Sequence, residues 1–238
     1  MQDVHMLWVF GGLSRLEELC ISSFVRKGYK VSLWTYATIF KNAPAGCTVR
    51  NAREVLAEEH LFLNQRGSFA GFSDLFRYAV LRRFGGLYSD VDVIAVKHAK
   101  FMPSHAFFVT ENSEDAGSII NGNVIHAPSP SAGDIIDQAY SYALDFPKEK
   151  VQWGEIGPQL LTAFSKKYPL HGYAIMEPDF SNPVSWWMCP QRLLEDDVTL
   201  PDSCHFLHLY NEMWRQAGID KNAALPERSL PMRAYFSN

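Results

Sequence analysis

No two of the four cysteines, at 20, 47, 189 and 204, are spaced as CxxC, and no cysteine–histidine group has zinc-finger spacing. A chain of 238 residues does not need disulfide staples, so all four read as reduced and packed. There is no excess of positive charge: 22 Lys and Arg stand against 26 Asp and Glu, a net −4. That balance argues against stable nucleic-acid binding. No apolar run approaches the ~20 residues that span a bilayer. The opening residues lack a basic stretch followed by an apolar one, and no Asn-x-Ser/Thr acceptor occurs. The expectation is therefore no leader, no transmembrane segment and a cytoplasmic location. GxGxxG, a P-loop, HExxH and GxSxG are all missing, which removes support from nicotinamide binding, Walker-type ATP hydrolysis, zincin proteolysis and α/β-hydrolase chemistry. Internal repeats, low-complexity tracts and a linker between two cores are absent as well.

What is present is a well-supplied core, with 47% apolar and 13% aromatic residues. One domain over 1–238 is expected, since a single core can grow to roughly 250 residues. Val4 to Phe10 reads as a buried strand ended by Gly11-Gly12. Ser14-Arg15-Leu16-Glu17 has the capping-box pattern, and a helix should run from there to Gly28. Tyr29 to Tyr36 alternates like a second strand. Strand, helix, strand in this order predicts a βαβ unit and a mostly parallel sheet flanked by helices. Further along, residues 41–50 read as loop, and helices are expected over about 53–64, 69–84 and 133–145. Another should begin at Pro158. Strands are expected over 87–96 and 105–110, and one or two short ones over 119–126. Residues 111–118 read as a polar loop. Beyond about 177 the chain is irregular, and beyond Ala217 it reads as loop or tail.

The chemistry concentrates between Phe72 and Asp92. Asp74, Arg77 and Tyr78 fall at i, i+3 and i+4, on one helical face. Taken alone, Asp74 and Arg77 suit an ordinary helix ion pair. Gly85-Gly86 then turns the chain into a strand that would carry Asp90 and Asp92 on one side. Two carboxylates so placed repel unless a cation or proton lies between them, which suggests Mg²⁺ or Mn²⁺ completed by phosphate oxygens; a solvated acidic turn is the plainer alternative. His208 becomes a third ligand only if it folds onto Asp92. Trp8, before Gly11-Gly12, suits either core packing or a wall for a planar base. Trp186-Trp187 has the same ambiguity, with a sugar platform as its functional reading.

The run Ser73-Asp74-Leu75-x-Arg77-Tyr78-x-x-Leu81-x-x-x-Gly85-Gly86-x-Tyr88-x-Asp90-x-Asp92 resembles the signature of the DXD-containing sugar-binding glycosyltransferases. His5 to Gly12, Leu33-Trp34-Thr35, Asn121 to Pro128, Gly157 to Leu161 and the pair His208 and Trp214 extend the resemblance. It implies a GT-A fold, a nucleotide-sugar donor (a UDP-sugar favoured, GDP-mannose possible) and Mn²⁺ or Mg²⁺. It further implies retaining transfer of a hexose to an acceptor hydroxyl, most naturally of a glycan in polysaccharide biosynthesis. Residues 1–110 would form the nucleotide-sugar half and 111–238 the acceptor half. Asp74, Arg77, Asp90 and Asp92 would be catalytic. Asp90, Asp92 and His208 would hold the metal. Trp8, Gly11, Tyr78, Asn121, Asn211 and Trp214 would bind the donor. Two other readings stay open: a non-catalytic nucleotide-sugar-binding module, and a haloacid-dehalogenase-like phosphatase with Asp90 as nucleophile.

Overall fold

The computed structural model describes residues 2–114, 117–168, 170 and 172–237. The chain begins with β1 (Asp3–Leu7), α1 (Arg15–Arg26), β2 (Lys30–Thr35) and β3 (Thr48–Asn51). The long helix α2 (Ala70–Phe84) follows, then β4 (Gly86–Ser89) and β5 (Val93–Ala95). A hairpin of β6 (Phe107–Ser113) and β7 (Gly117–Ala127) leads to α3 (Ile135–Asp145), α4 (Pro158–Lys167) and β8 (Ala174–Met176). The last quarter holds α5 (Gln191–Leu194), β9 (Phe206–His208), α6 (Asn211–Gln216) and α7 (Leu230–Phe236).

Seven strands form the central sheet in the order β3-β2-β1-β4-β7-β6-β8. The β3-β2-β1-β4 half is parallel, and β7 enters antiparallel to both β4 and β6. Strands β1 and β2 are buried on both faces, as interior strands of a helix-covered parallel sheet must be, and this explains their near-continuous apolar runs. Leu75, Phe76, Tyr78, Val80 and Leu81 of α2 are buried around most of its circumference. A helix apolar on most sides belongs inside the molecule, and here it carries Asp74 and Arg77 inward with it.

The capping box on α1 forms: the Ser14 backbone N–H donates to the Glu17 carboxylate at 2.7 Å. Glu17 is fully buried, and its other oxygen takes Lys221 as a partner. The segment beyond Ala217 is therefore not a free tail. It is tied to α1 by that ion pair and by α7, whose Leu230 and Ala234 are core residues. A seven-residue helix shows too little periodicity to be read from sequence.

Three other expectations differ from the structure. Residues 53–64 make only two 3₁₀ turns, Ala52–Glu54 and Glu58–His60. Asn51 captures the Arg53 N–H there, and of the apolar residues only Ala52 and Leu56 are buried, so no apolar face sustains a longer helix. Residues 111–118 are not simply loop. Glu111, Asn112 and Ser113 pair with Ile119, Ser118 and Gly117 as the end of the β6–β7 hairpin, and residues 115 and 116 fall outside the described set. Finally, the strand expected over 87–96 is broken. β5 leaves the main sheet and pairs with β9, and Asp90 to Asp92 form the turn at the break.

Candidate active site

Asp90 and Asp92 thus reach one side of the molecule by a turn and not along a strand. The backbone fixes that turn: the Asp90 N–H donates to the Asn123 carbonyl at 2.8 Å, and the Leu209 N–H donates to the Asp92 carbonyl at 2.8 Å. The second bond brings the end of β9 onto the turn. His208 arrives with it, and its Nε2 lies 3.5 Å from Asp92 Oδ2. Among the described residues, Asp90, Asp92 and His208 are the one group of this kind, with one ligand atom from each lying within 4.8 Å of the others. The same Asp92 oxygen accepts the Asn211 N–H at 2.7 Å, at the start of α6.

The orientation of His208 is set from behind. Asn182 donates its amide N–H to the Thr110 carbonyl at 2.9 Å, which directs its oxygen the other way. That oxygen takes Asn123 Nδ2 at 3.0 Å, His208 Nδ1 at 3.1 Å and the Tyr210 hydroxyl at 3.3 Å. An amide oxygen only accepts, so Nδ1 carries the proton and Nε2 presents its lone pair toward Asp92 when the ring is neutral. Burial pulls the His208 pKa down, but the carboxylates of Asp92, Asp90 and Glu111 outweigh it and raise the pKa overall. Asp92 moves the other way. Burial pushes it up, yet His208 and the backbone N–H groups hold its carboxyl below the usual range.

Beside this cluster lies a second charged set. Arg77 reaches Asp74 at 2.9 Å and Asp90 at 3.1 Å, and its guanidinium carbon sits 5.1 Å from the Tyr88 ring centre. The Tyr88 hydroxyl also donates to Asp90, at 3.1 Å. Asp74 and Arg77 are each only 5% exposed, so their pairing is not the solvated helix ion pair that spacing alone suggested. Burial pushes the Asp74 pKa up to about 6 against the pull of Arg77, with Asp90 adding to the rise.

Two glycines make this packing possible. The pairing of β6 with β7 shifts between Phe108 and Val109, so β7 bulges over Gly122–Val124. A Cβ at Gly122 would fall 1.9 Å from Arg77 Nη1. A Cβ at Gly157 would fall 2.4 Å from both Asp74 oxygens, so the carboxylate lies against the N-terminal turn of α4, where a helix favours negative charge. A bulge beside a site re-aims side chains, and this one also turns the Asn123 carbonyl onto the Asp90 N–H.

Asp74, Arg77, Asp90, Asp92 and His208 open into one cleft of about 1030 Å³. Of the residues singled out from sequence, Trp8, Asp74, Arg77, Asp90, Asp92, Asn121, His208 and Asn211 line it. Trp8 is half-buried and its Nε1 has no partner. The other three do not line it. Tyr78 is buried beneath, with its hydroxyl on the Ile156 carbonyl at 3.0 Å, and so anchors the loop that carries Gly157. Trp214 is a core residue whose Nε1 donates to the Leu209 carbonyl at 2.8 Å. Gly11 is exposed, with φ +82° in the turn after β1. Of the pair Trp186-Trp187, Trp186 lines the cleft and Trp187 does not. Sequence reasoning missed Glu111, Asn182 and Tyr210. Glu111 and Asn182 sit in stretches that read as loop, and nothing local marks either of them.

Residues 22–109 match the family described as "Glycosyltransferase sugar-binding region containing DXD motif". No curated protein matches the chain in sequence. Among solved structures, it is similar to the PaToxG glycosyltransferase, with a TM-score of 0.52 at 14% identity over 100% of this chain and 85% of that one. It is also similar to the apo WbbM bifunctional glycosyltransferase, with a TM-score of 0.50 at 11% identity over 98% of this chain and 51% of that one. Identities this low speak for the fold. The fold is α/β of the GT-A type, with a mostly parallel central sheet flanked by helices. The stretch matched to the DXD-containing family, residues 22–109, carries Asp90 and Asp92 at the turn between β4 and β5. No helix among the described residues is long and apolar enough to cross a membrane.

Proposed function

We propose that this protein is a metal-dependent retaining hexosyltransferase that uses a nucleotide-sugar donor, preferably a UDP-sugar, and a glycan hydroxyl as acceptor. The observation that carries the reading is the convergence of Asp90, Asp92 and His208 in the cleft that also holds Asp74, Arg77 and Trp8. Two carboxylates and an imidazole fit a divalent cation, and the nitrogen ligand favours Mn²⁺ over Mg²⁺. Such an ion supplies positive charge against the leaving nucleoside diphosphate.

The protein's own residues do the rest. The β3-β2-β1-β4 half, about residues 1–110, holds the nucleotide, with the base against Trp8 and its unpartnered indole N–H. Asn211 closes over the diphosphate from the start of α6. Arg77, fixed between Asp74 and Asp90, adds a buried positive charge where the β-phosphate develops negative charge. Asp74 accepts hydrogen bonds from the hydroxyls of the bound sugar and sets its approach. The 111–238 half presents the acceptor, and retention places its hydroxyl on the face the diphosphate leaves. The reduced, mostly buried cysteines suit action in the cytoplasm.

The test is a donor screen. UDP-glucose, UDP-galactose, UDP-N-acetylglucosamine and GDP-mannose are each incubated with the protein, with and without Mn²⁺, and nucleoside diphosphate release is measured. Release from one donor, present only with Mn²⁺, is expected, and the anomeric configuration of the product, read by NMR, should match the donor's. Release from none of them, together with no Mn²⁺-dependent nucleotide binding, would sink the reading.

Asn182 gives a further expected result. Asn182→Leu removes the acceptor shared by Asn123, His208 and Tyr210 and lets the His208 ring turn. Mn²⁺ affinity, measured by calorimetry, should fall by about ten- to a hundredfold. Stability should fall by about 1–3 kcal/mol for each donor left bare. An unchanged affinity would mean that the imidazole takes no part in holding the ion.

A further inference from the structure

Glu111 is a buried carboxylate in the cleft that the mechanism above leaves without a task. It is 8% exposed, lies on β6 opposite Ile119 and lines the cleft. Its hydrogen-bonding neighbours are Asn121 and Tyr210, and His208 is the nearby cation. Burial raises its pKa, and among the described residues no lysine or arginine forms an ion pair with it.

The bulge on β7 ties this carboxylate to the donor machinery. Gly122 packs against the Arg77 guanidinium, Asn121 precedes it in the chain, and Glu111 lies beside Asn121. Asp74, Arg77, Asn121 and Glu111 all line the cleft, with Asn121 and Gly122 linking Glu111 to Arg77. Carboxylate, guanidinium, amide and carboxylate alternate acceptors with donors, the pattern that a ring carrying adjacent hydroxyls satisfies. A carboxylate lacking a strong cation repels phosphate oxygens, so the group that meets Glu111 is neutral and hydroxyl-bearing.

We infer that Glu111, with Asn121, binds hydroxyls of the transferred sugar and thereby helps select the donor sugar. This rests on the nucleotide-sugar reading above. Binding and turnover of the two parts of the donor separate the inference from that reading. The affinities of UDP and GDP, and of the four sugar nucleotides named above, are measured by calorimetry with Mn²⁺ for the wild type and for Glu111→Gln and Glu111→Asp.

In the wild type, one sugar nucleotide should bind and turn over. Glu111→Gln should weaken that sugar nucleotide by about tenfold or more, because a charged hydrogen bond is lost. Its affinity for the bare nucleoside diphosphate should stay unchanged, which also reports that the variant is folded. Glu111→Asp should fall between the two. Equal weakening of sugar nucleotide and nucleoside diphosphate would overturn the inference, because Glu111 would then act on the metal site or the fold. Unchanged affinity for both would overturn it too and move Glu111 to the acceptor side. A wild type that binds no sugar nucleotide would remove the underlying reading itself, and the inference with it.

Discussion

Asp92→Asn should abolish Mn²⁺-dependent donor turnover, by about a hundredfold or more, while leaving the protein folded. The side chain is nearly isosteric, and the backbone bond from Leu209 to the Asp92 carbonyl does not depend on it. An amide oxygen still accepts the Asn211 N–H, so the start of α6 stays in place. What disappears is one negative charge from the Asp90, Asp92 and His208 group. Asp92 is the member best fitted to be ionised, since His208 and the backbone N–H groups together overcome the burial that opposes it. Asp90 is held in its place by Arg77 and Tyr88, so it cannot shift to supply the ligand atom that Asp92 loses. The check is nucleoside diphosphate release as a function of Mn²⁺ concentration, with thermal unfolding as the control. A variant that turns over within a few-fold of wild type, at any Mn²⁺ concentration, would show that Asp92 is not a ligand.

Much of this arrangement is legible in the sequence because it is local. The spacing of Asp74 and Arg77 along α2, the glycine pair at 85–86 and the two acids that follow lie within one stretch, and helix, turn and carboxylate pair can each be read there. The parallel half of the sheet is legible for a related reason: β1 and β2 are buried on both faces and so are written as continuous apolar runs. What could not be read is what depends on distant parts of the chain meeting. His208 reaches Asp92 only because β5 leaves the sheet to pair with β9. Asn182 matters because it gathers donors from β7, β9 and Tyr210. Glu111 reads as loop because polar residues fill the hairpin end, where each pairs through its backbone whatever its side chain. Trp214 differs in the opposite sense: the resemblance makes it a donor-binding residue, but it is a core residue whose indole N–H is satisfied by the Leu209 carbonyl.

Arg77→Met should cost stability as well as turnover, and the two losses should answer differently to pH. Removing the guanidinium leaves Asp74 and Asp90 facing each other at a partly or wholly buried site, and breaking a buried pair in this way costs about 3–5 kcal/mol. Asp74 already has its pKa raised to about 6, by burial first and despite Arg77, so losing Arg77 must raise it further. An acid whose folded-state pKa lies above its unfolded value of about 3.9 destabilises the fold when ionised, and that cost fades as pH falls below the folded pKa. The stability deficit of Arg77→Met in urea unfolding should therefore be largest near about pH 8 and shrink toward about pH 5, while donor turnover stays low at both. Gly122→Ala separates position from charge. Its methyl carbon would sit 1.9 Å from Arg77 Nη1, so the guanidinium must leave Asp74 or the bulge must shift, yet no charge is removed. Turnover should fall as it does in Arg77→Met, with a stability loss of about 1–3 kcal/mol and a weaker dependence on pH. If Gly122→Ala kept wild-type turnover, the placement of Arg77 between the two carboxylates would not matter to the reaction, and only its charge would.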